Sequence, residues 1–257
     1  MLLLSTSSLK GYSLHKIFIF AKKAGYDGLN LDLDKSNFDT LDGEYIKTLS
    51  DAFAIPVLSI TAYDKGIDEK KVDSFTKMAK TLNSQLVVFS PPHMTDKKTD
   101  WFTKYLPRVK RDSGLSIAIR NVPSKFWLFV IPEYKTNTLM ELKKLTGDTV
   151  LDVANIDKST GIDLQKAQTM LGNSIKNVFL SDKNGPKEGL LPGNSGGGVS
   201  YLPLESFLMK LKTSGYNGFI SLTVNPKELE AGNDELVLEK LAQVKKYYTK
   251  HFLEYKS

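Results

Sequence analysis

Eight short apolar runs recur along this chain, and a segment of helical periodicity follows each one. That alternation restricts the fold more than any single residue does. The runs are "LLLST" (2–6), "GLNLDL" (28–33), "VLSITA" (57–62), "QLVVFS" (85–90), "LSIAIR" (115–120), "TVLDV" (149–153), "KNVFLS" (176–181) and "GFISLT" (218–223). Each has strand length, and most are rich in β-branched residues. Between them the apolar residues recur every three or four positions. Ser13 is placed to cap the first helix, whose apolar face is Leu14, Ile17, Ala21 and Ala24, with Gly25 as its stop. Asp68 opens another helix, Asn137 a later one, and Pro107 predicts a bend after Trp101–Tyr105. "AGYDGLNL" (24–31) and "SGYNGFIS" (214–221) repeat one device, a glycine stop, a tight turn and entry into a strand.

Eight strand–helix pairs predict an α/β protein of the closed (β/α)8 TIM-barrel type, one domain over residues 1–257. An open doubly wound sheet has the same alternation but carries a Gly-rich turn after its first strand, and "STSSLKG" is not one. The chain contains no cysteine, which removes disulfides, thiolate metal sites and a cysteine nucleophile. "MLLLSTSS" is too short in its apolar part for a signal peptide or a membrane span, so a cytoplasmic protein without membrane attachment is expected. The net charge of +6 favours anionic partners. The lysines are scattered over helical polar faces, however, and no basic run is interleaved with aromatics as a nucleic-acid face would be.

In a barrel of this kind the site forms at the C-terminal ends of the strands. Each apolar run ends on a residue that can carry chemistry, among them Asn30, Asp32, Tyr63, Ser90, Arg120, Asn121, Asp152, Asn155, Asp182 and Lys183. Arg120 stands out, because an arginine closing a buried run needs a negative partner. Of the three histidines only His93 falls near a strand end; His15 and His251 lie in helices. Divalent ions need several carboxylates or imidazoles converging at about 2.0–2.3 Å, and two aspartates, Asp152 and Asp182, are too few.

The order of these segments resembles the xylose isomerase-like barrels, the sugar-phosphate isomerase/epimerase superfamily. The resemblance covers nearly the whole chain. It is carried by "AGYDGLNLDL", "SQLVVFSPP", "IAIRN", "VLDVAN", "KNVFLSDK" and the block from "LLPGNSGGG" to "SGYNGFISL". It implies a divalent ion held by a Glu ending strand five, an Asp-x-x-His run at strand six, a His before the strand-seven Asp, and a Glu ending strand eight. This chain has Arg120, Asp152 with Asn155, Phe179 with Asp182, and Thr223 at those places. Asn30 and Ser90 stand where a second-strand Glu and a fourth-strand His are common in such barrels.

The resemblance therefore implies a divergent barrel whose metal site is degenerate, with no metal or other cofactor. It is expected to bind a small polar or phosphorylated sugar-like ligand, with weak or no metal-dependent catalysis. The alternative is a metal-independent sugar or sugar-phosphate isomerase or epimerase in which Asp152, Asp182 and Arg120 are catalytic. Ligand contacts are expected from Asn121, Asn155, Lys183, His93, Tyr63, Asn30 and Trp127. Three roles stay open for Arg120: a salt-bridge cluster with Asp152 and Asp182 in place of the ion, a grip on a ligand anion with Lys183 and Lys187, or an outward-facing residue. The loop 192–198 could cradle a phosphate or simply turn, and the apolar stretch "KFWLFVIPEY" (125–134) could cover a sugar face, pack over the mouth or join two copies of the chain.

Overall fold

A computed structural model describes residues 1–127, 130–136, 138–156, 161–185, 187–195 and 202–255. The eight apolar runs form the eight strands of a closed parallel barrel. These are β1 (Leu2–Ser5), β2 (Gly28–Asp32), β3 (Val57–Thr61), β4 (Leu86–Phe89), β5 (Ser116–Arg120), β8 (Asp148–Asp152), β9 (Ile175–Leu180) and β12 (Phe219–Leu222). Each pairs with its neighbours in chain order, and β12 closes on β1. Two antiparallel hairpins interrupt the alternation: β6 (Phe126–Trp127) with β7 (Ile131–Pro132), and β10 (Asp182–Asn184) with β11 (Lys187–Leu190). Strand periodicity does not reveal them, because their strands are only two to four residues long.

Around the barrel lie α1 (Leu14–Ala24), α2 (Gly43–Phe53), α3 (Glu69–Thr81), α4 (Leu106–Ser113), α5 (Leu139–Thr146), α6 (Leu164–Leu171), α7 (Leu204–Thr213) and α8 (Asp234–Tyr248). The expected caps are in place. The Ser13 hydroxyl accepts from the Lys16 N–H, the Asp68 carboxylate accepts from the Lys71 N–H, and Gly25 takes the left-handed conformation with φ 69°. Before Pro107 the chain is wound as a π-helical turn, Trp101–Tyr105, which passes into α4. The expected start of α5 at Asn137 lies outside the described residues; the cap of that helix is Thr138.

The repeated Gly-Tyr-x-Gly device has a steric cause. A Cβ on Gly28 would come within 2.7 Å of the Pro56 carbonyl oxygen, and one on Gly218 within 2.6 Å of that of Lys176. Each strand enters the barrel hard against its neighbour's backbone, and only glycine fits.

Side chains alternate between two cores. Leu2, Leu4, Leu29, Leu31 and their equivalents face the helices, whereas Leu3, Leu86, Val88, Ala118, Val150, Phe179 and Phe219 fill the barrel interior. Asn177 and Ser221 inside the barrel satisfy each other, whereas the buried Ser59 hydroxyl has no partner among the described residues. Asn177 donates to the Ser221 hydroxyl at 2.8 Å, and that hydroxyl donates back at 3.0 Å. Side chains thus fill the barrel interior, and the C-terminal strand ends carry the candidate site.

Candidate functional site

The mouth opens into a pocket of about 560 Å³, off-centre over the ends of β1, β2 and β3, with Arg120 of β5 reaching in from the far wall. Asp32 ends β2 at its base. Its carboxylate accepts from the Ser5 hydroxyl (2.5 Å), the Ser7 N–H (3.1 Å) and the Asn30 amide (3.3 Å). Burial nonetheless pushes Asp32 above the ordinary carboxylate range, against those hydrogen bonds and the charge of Arg120. Asn30 is fully buried below it, donating to Ser5 (2.9 Å) and accepting from Thr61 (3.0 Å). Its role is to tie β1, β2 and β3 together and aim Asp32, not to face a ligand.

Arg120 meets a different partner from the expected one. Its guanidinium donates to Asp64 at 2.7 Å, and its Nε donates to the Ser90 hydroxyl at 2.7 Å, which in turn donates to Asp64 at 2.6 Å. The strand register explains the correction. Ile119 lies beside Phe89 on β4, so Arg120 is level with Ser90, whereas on the β8 side it is level with Val150, two residues short of Asp152. The side chain therefore closes a triangle with Ser90 and Asp64 over the third and fourth strands. Burial alone would raise Asp64, but Arg120 and Ser90 hold it below the usual carboxylate range. Arg120 is itself partly exposed, at 21 % of its side chain.

Asp152 and Asp182 have other duties. Asp152 accepts from the Ala154 N–H (3.2 Å) and the Asn155 amide (3.0 Å). Burial pushes it up to about 6, against the pull of Arg120. Asp182 is buried with its oxygens on the backbone N–H groups of Lys183 (2.8 Å), Gly193 (3.1 Å) and Ser195 (3.3 Å), which makes it the anchor of that loop rather than a free acid or base. The rest of the loop, through Gly198, lies outside the described residues. Asn121 exchanges bonds with the backbone of Asp152, accepting at 2.7 Å and donating at 3.0 Å, and Asn155 donates to the Asn121 carbonyl at 3.2 Å. Both asparagines continue the β5–β8 ladder beyond its last backbone pair. The Lys183 ammonium donates to the carbonyls of Ala154 (2.8 Å) and Ile156 (2.5 Å).

His93 is buried at 2 % exposure, its ring tilted against that of Tyr134 with centroids 4.4 Å apart, and its Nδ1 is 3.7 Å from Glu133. It lies outside the pocket wall. Tyr63 does line the pocket, edge-on to Phe75, with the Lys35 ammonium 4.3 Å from its ring centre. Trp127 lies in the short strand β6, and its side chain falls outside the described residues. The pocket therefore gathers Asp32, Tyr63 and Arg120, whose positions at strand ends are visible in the sequence, together with Asp64, the residue after Tyr63. It adds Lys10, Tyr12, Asp39 and Thr40 from short connections that carry no periodic signal.

No family model matches the chain. Over 128 residues it is 27 % identical to the uncharacterised protein ML2432 of Mycobacterium leprae (strain TN), a stretch that covers 46 % of this chain and 45 % of that protein. Among solved structures, the IolI protein with a bound zinc atom superposes with a TM-score of 0.73 at 19 % identity, over 98 % of this chain and 99 % of that one. The 3-keto-D-glucoside 4-epimerase YcjR of E. coli gives 0.71 at 14 % identity, over 95 % and 98 %. A sugar phosphate isomerase/epimerase of Parabacteroides distasonis gives 0.66 at 14 % identity, over 96 % and 94 %. The chain folds as a xylose isomerase-like TIM barrel. No helix among the described residues is long and apolar enough to cross a membrane.

The ligand set that the resemblance to xylose isomerase-like barrels implies does not fit this mouth. At the strand-seven position Phe179 is 1 % exposed and packed in the barrel interior, at strand eight Thr223 offers a hydroxyl, and at strand five a guanidinium stands in place of a carboxylate. Among the described residues no three His, Cys, Asp or Glu side chains are grouped to hold an ion. What the arrangement can do without one is bind hydroxyl groups between carboxylates and a fixed cation.

Proposed function

We propose that this xylose isomerase-like barrel binds a small polyhydroxylated, sugar-like ligand in the mouth pocket, and that metal-dependent catalysis of the isomerase or epimerase type is weak or lost. The observation that carries the proposal is the Asp64–Ser90–Arg120 triangle on the pocket wall. A permanent cation is fixed there by two 2.7 Å hydrogen bonds, at the strand end where metal-dependent barrels of this type would place a carboxylate ligand. Hydroxyl groups of a sugar can donate to Asp32 and Asp64 and accept from Arg120, while the rings of Tyr12 and Tyr63 offer apolar walls for its C–H faces. The zinc of IolI and the keto-sugar of YcjR belong to those proteins; their similarity supports the ligand class only through the shared barrel.

A second function is favoured by one observation. Asp152 is raised to about 6, within the range useful for proton transfer near neutrality, and the charge of Arg120 acts on it. A metal-independent isomerase or epimerase would use Asp152 as its acid or base, with Arg120 acting on it through its charge and not through a contact; Asp182 is occupied by backbone donors.

Titration calorimetry against a panel of aldoses, ketoses and cyclitols, with and without EDTA, tests the proposal. Binding that is indifferent to EDTA and lost in Arg120→Ala is expected. Stoichiometric divalent metal in the purified protein, or binding abolished by EDTA, would overturn it. EDTA-resistant aldose–ketose interconversion lost in Asp152→Asn would establish the second function.

A further inference from the structure

We infer that the mouth pocket selects a polyol without an anionic group, and takes one bearing a protonated amine in preference to the matching phosphate ester. The inference rests on ligand binding at this mouth and adds its selectivity. The chain as a whole carries +6, a field that draws in anions. The pocket has the opposite balance. Its described wall contains four carboxylates, Asp32, Asp34, Asp39 and Asp64, against two cations, Lys10 and Arg120. Both cations are already matched: Arg120 to Asp64 at 2.7 Å, and Lys10 to Asp34 at 2.8 Å. Lys35, just outside the wall, lies over the Tyr63 ring and donates to the Lys65 carbonyl at 2.6 Å.

Among the described residues both cations of the wall are thus paired with carboxylates before a phosphate enters, and Lys35, outside the wall, is engaged by a ring and a carbonyl instead. To gain Arg120 the phosphate would have to break the Arg120–Asp64 pair, leaving that carboxylate uncompensated beside the dianion, a geometry that charge burial penalises strongly. An ammonium group meets the reverse situation, because among the described residues neither Asp32 nor Asp39 forms an ion pair, although the charge of Arg120 acts on Asp32 from a distance. The hydroxyl and N–H donors of Asp32 all meet its Oδ2, so a bound amine would add a charge-assisted bond at the other oxygen, Oδ1, of an already oriented carboxylate. If Asp32 kept its proton, Asp39 alone would still leave the wall negative.

The test uses three matched series on the full chain: glucose, mannose and galactose, their 2-amino-2-deoxy forms, and their 6-phosphates. Affinities are read by calorimetry at low and at high salt. The amino forms should bind tightest and the phosphates weakest, with the two separated by roughly tenfold or more at low salt and the gap shrinking as salt rises. Asp39→Lys, on an exposed 3-10 turn at the rim, should narrow that gap by roughly fivefold without unfolding the barrel. Phosphates that bind as tightly as the amino sugars, or a gap untouched by Asp39→Lys, would overturn the selectivity while leaving the pocket as a binding site. Binding by no member of any series would overturn the pocket itself, and the selectivity with it.

Discussion

Replacing Arg120 by alanine removes the side chain around which this mouth is organised. The cost follows from two terms. The first is the ion pair with Asp64. Opposite charges about 4 Å apart in a partly buried setting attract by about 4 kcal/mol at an effective dielectric of 20. With 21 % of the arginine side chain and 37 % of the aspartate side chain exposed, solvent screening brings the usable part to about 1–2 kcal/mol. The second is the 2.7 Å bond from Nε to Ser90, whose hydroxyl keeps Asp64 as a partner and therefore loses only about 1 kcal/mol. Arg120→Ala should lower stability by about 2–3 kcal/mol in urea denaturation, and Asp64→Ala by about 1–2. The double variant should fall short of the sum by about 1–2 kcal/mol, the coupling energy of a contacting pair. Because Asp64 is held below its ordinary range, its contribution is present above the unfolded carboxylate value and is lost as pH falls through the lower folded value. The coupling should therefore be full at pH 7 and disappear as pH falls below the ordinary carboxylate range. Strict additivity of the two single variants at pH 7 would show that the pair is decorative, and the case for a fixed cation at this strand end would fail.

Asp152 has the opposite sign. With its folded value raised to about 6, the native state keeps a proton that the unfolded chain gives up near pH 4, so stability should fall as pH rises from about 4 to above 6, by at most about 3 kcal/mol; urea midpoints of wild type and Asp152→Asn across pH 4–7.5 should diverge over that window and run parallel outside it. Asn121→Ala strips the N–H and C=O of Asp152 of their partners and should cost about 1–3 kcal/mol, read from the same denaturation curves. Arg120→Glu combined with Thr223→Glu, beside the native Asp152, should create a divalent site that wild type does not have, detected as Mn²⁺ retained after gel filtration.

The barrel itself was legible in the sequence. Period-two and period-3.6 apolar patterns report which face of an element is buried, and closure of eight strand–helix units follows from their number and order. Ser13, Asp68 and Gly25 were legible for the same reason, since a cap acts within one turn of chain. The list of strand-end residues was local information too. What could not be read was which of those residues meet across the mouth. That depends on the relative stagger of neighbouring strands, set by long-range packing: β5 lies level with Ser90 on one side and two residues short of Asp152 on the other. The stagger turned Arg120 toward Asp64, left Asp182 to the backbone of a neighbouring loop, and buried Asn30 beneath Asp32. A side chain's identity is fixed by its codon; its partner is fixed by register, and register belongs to the closed sheet as a whole.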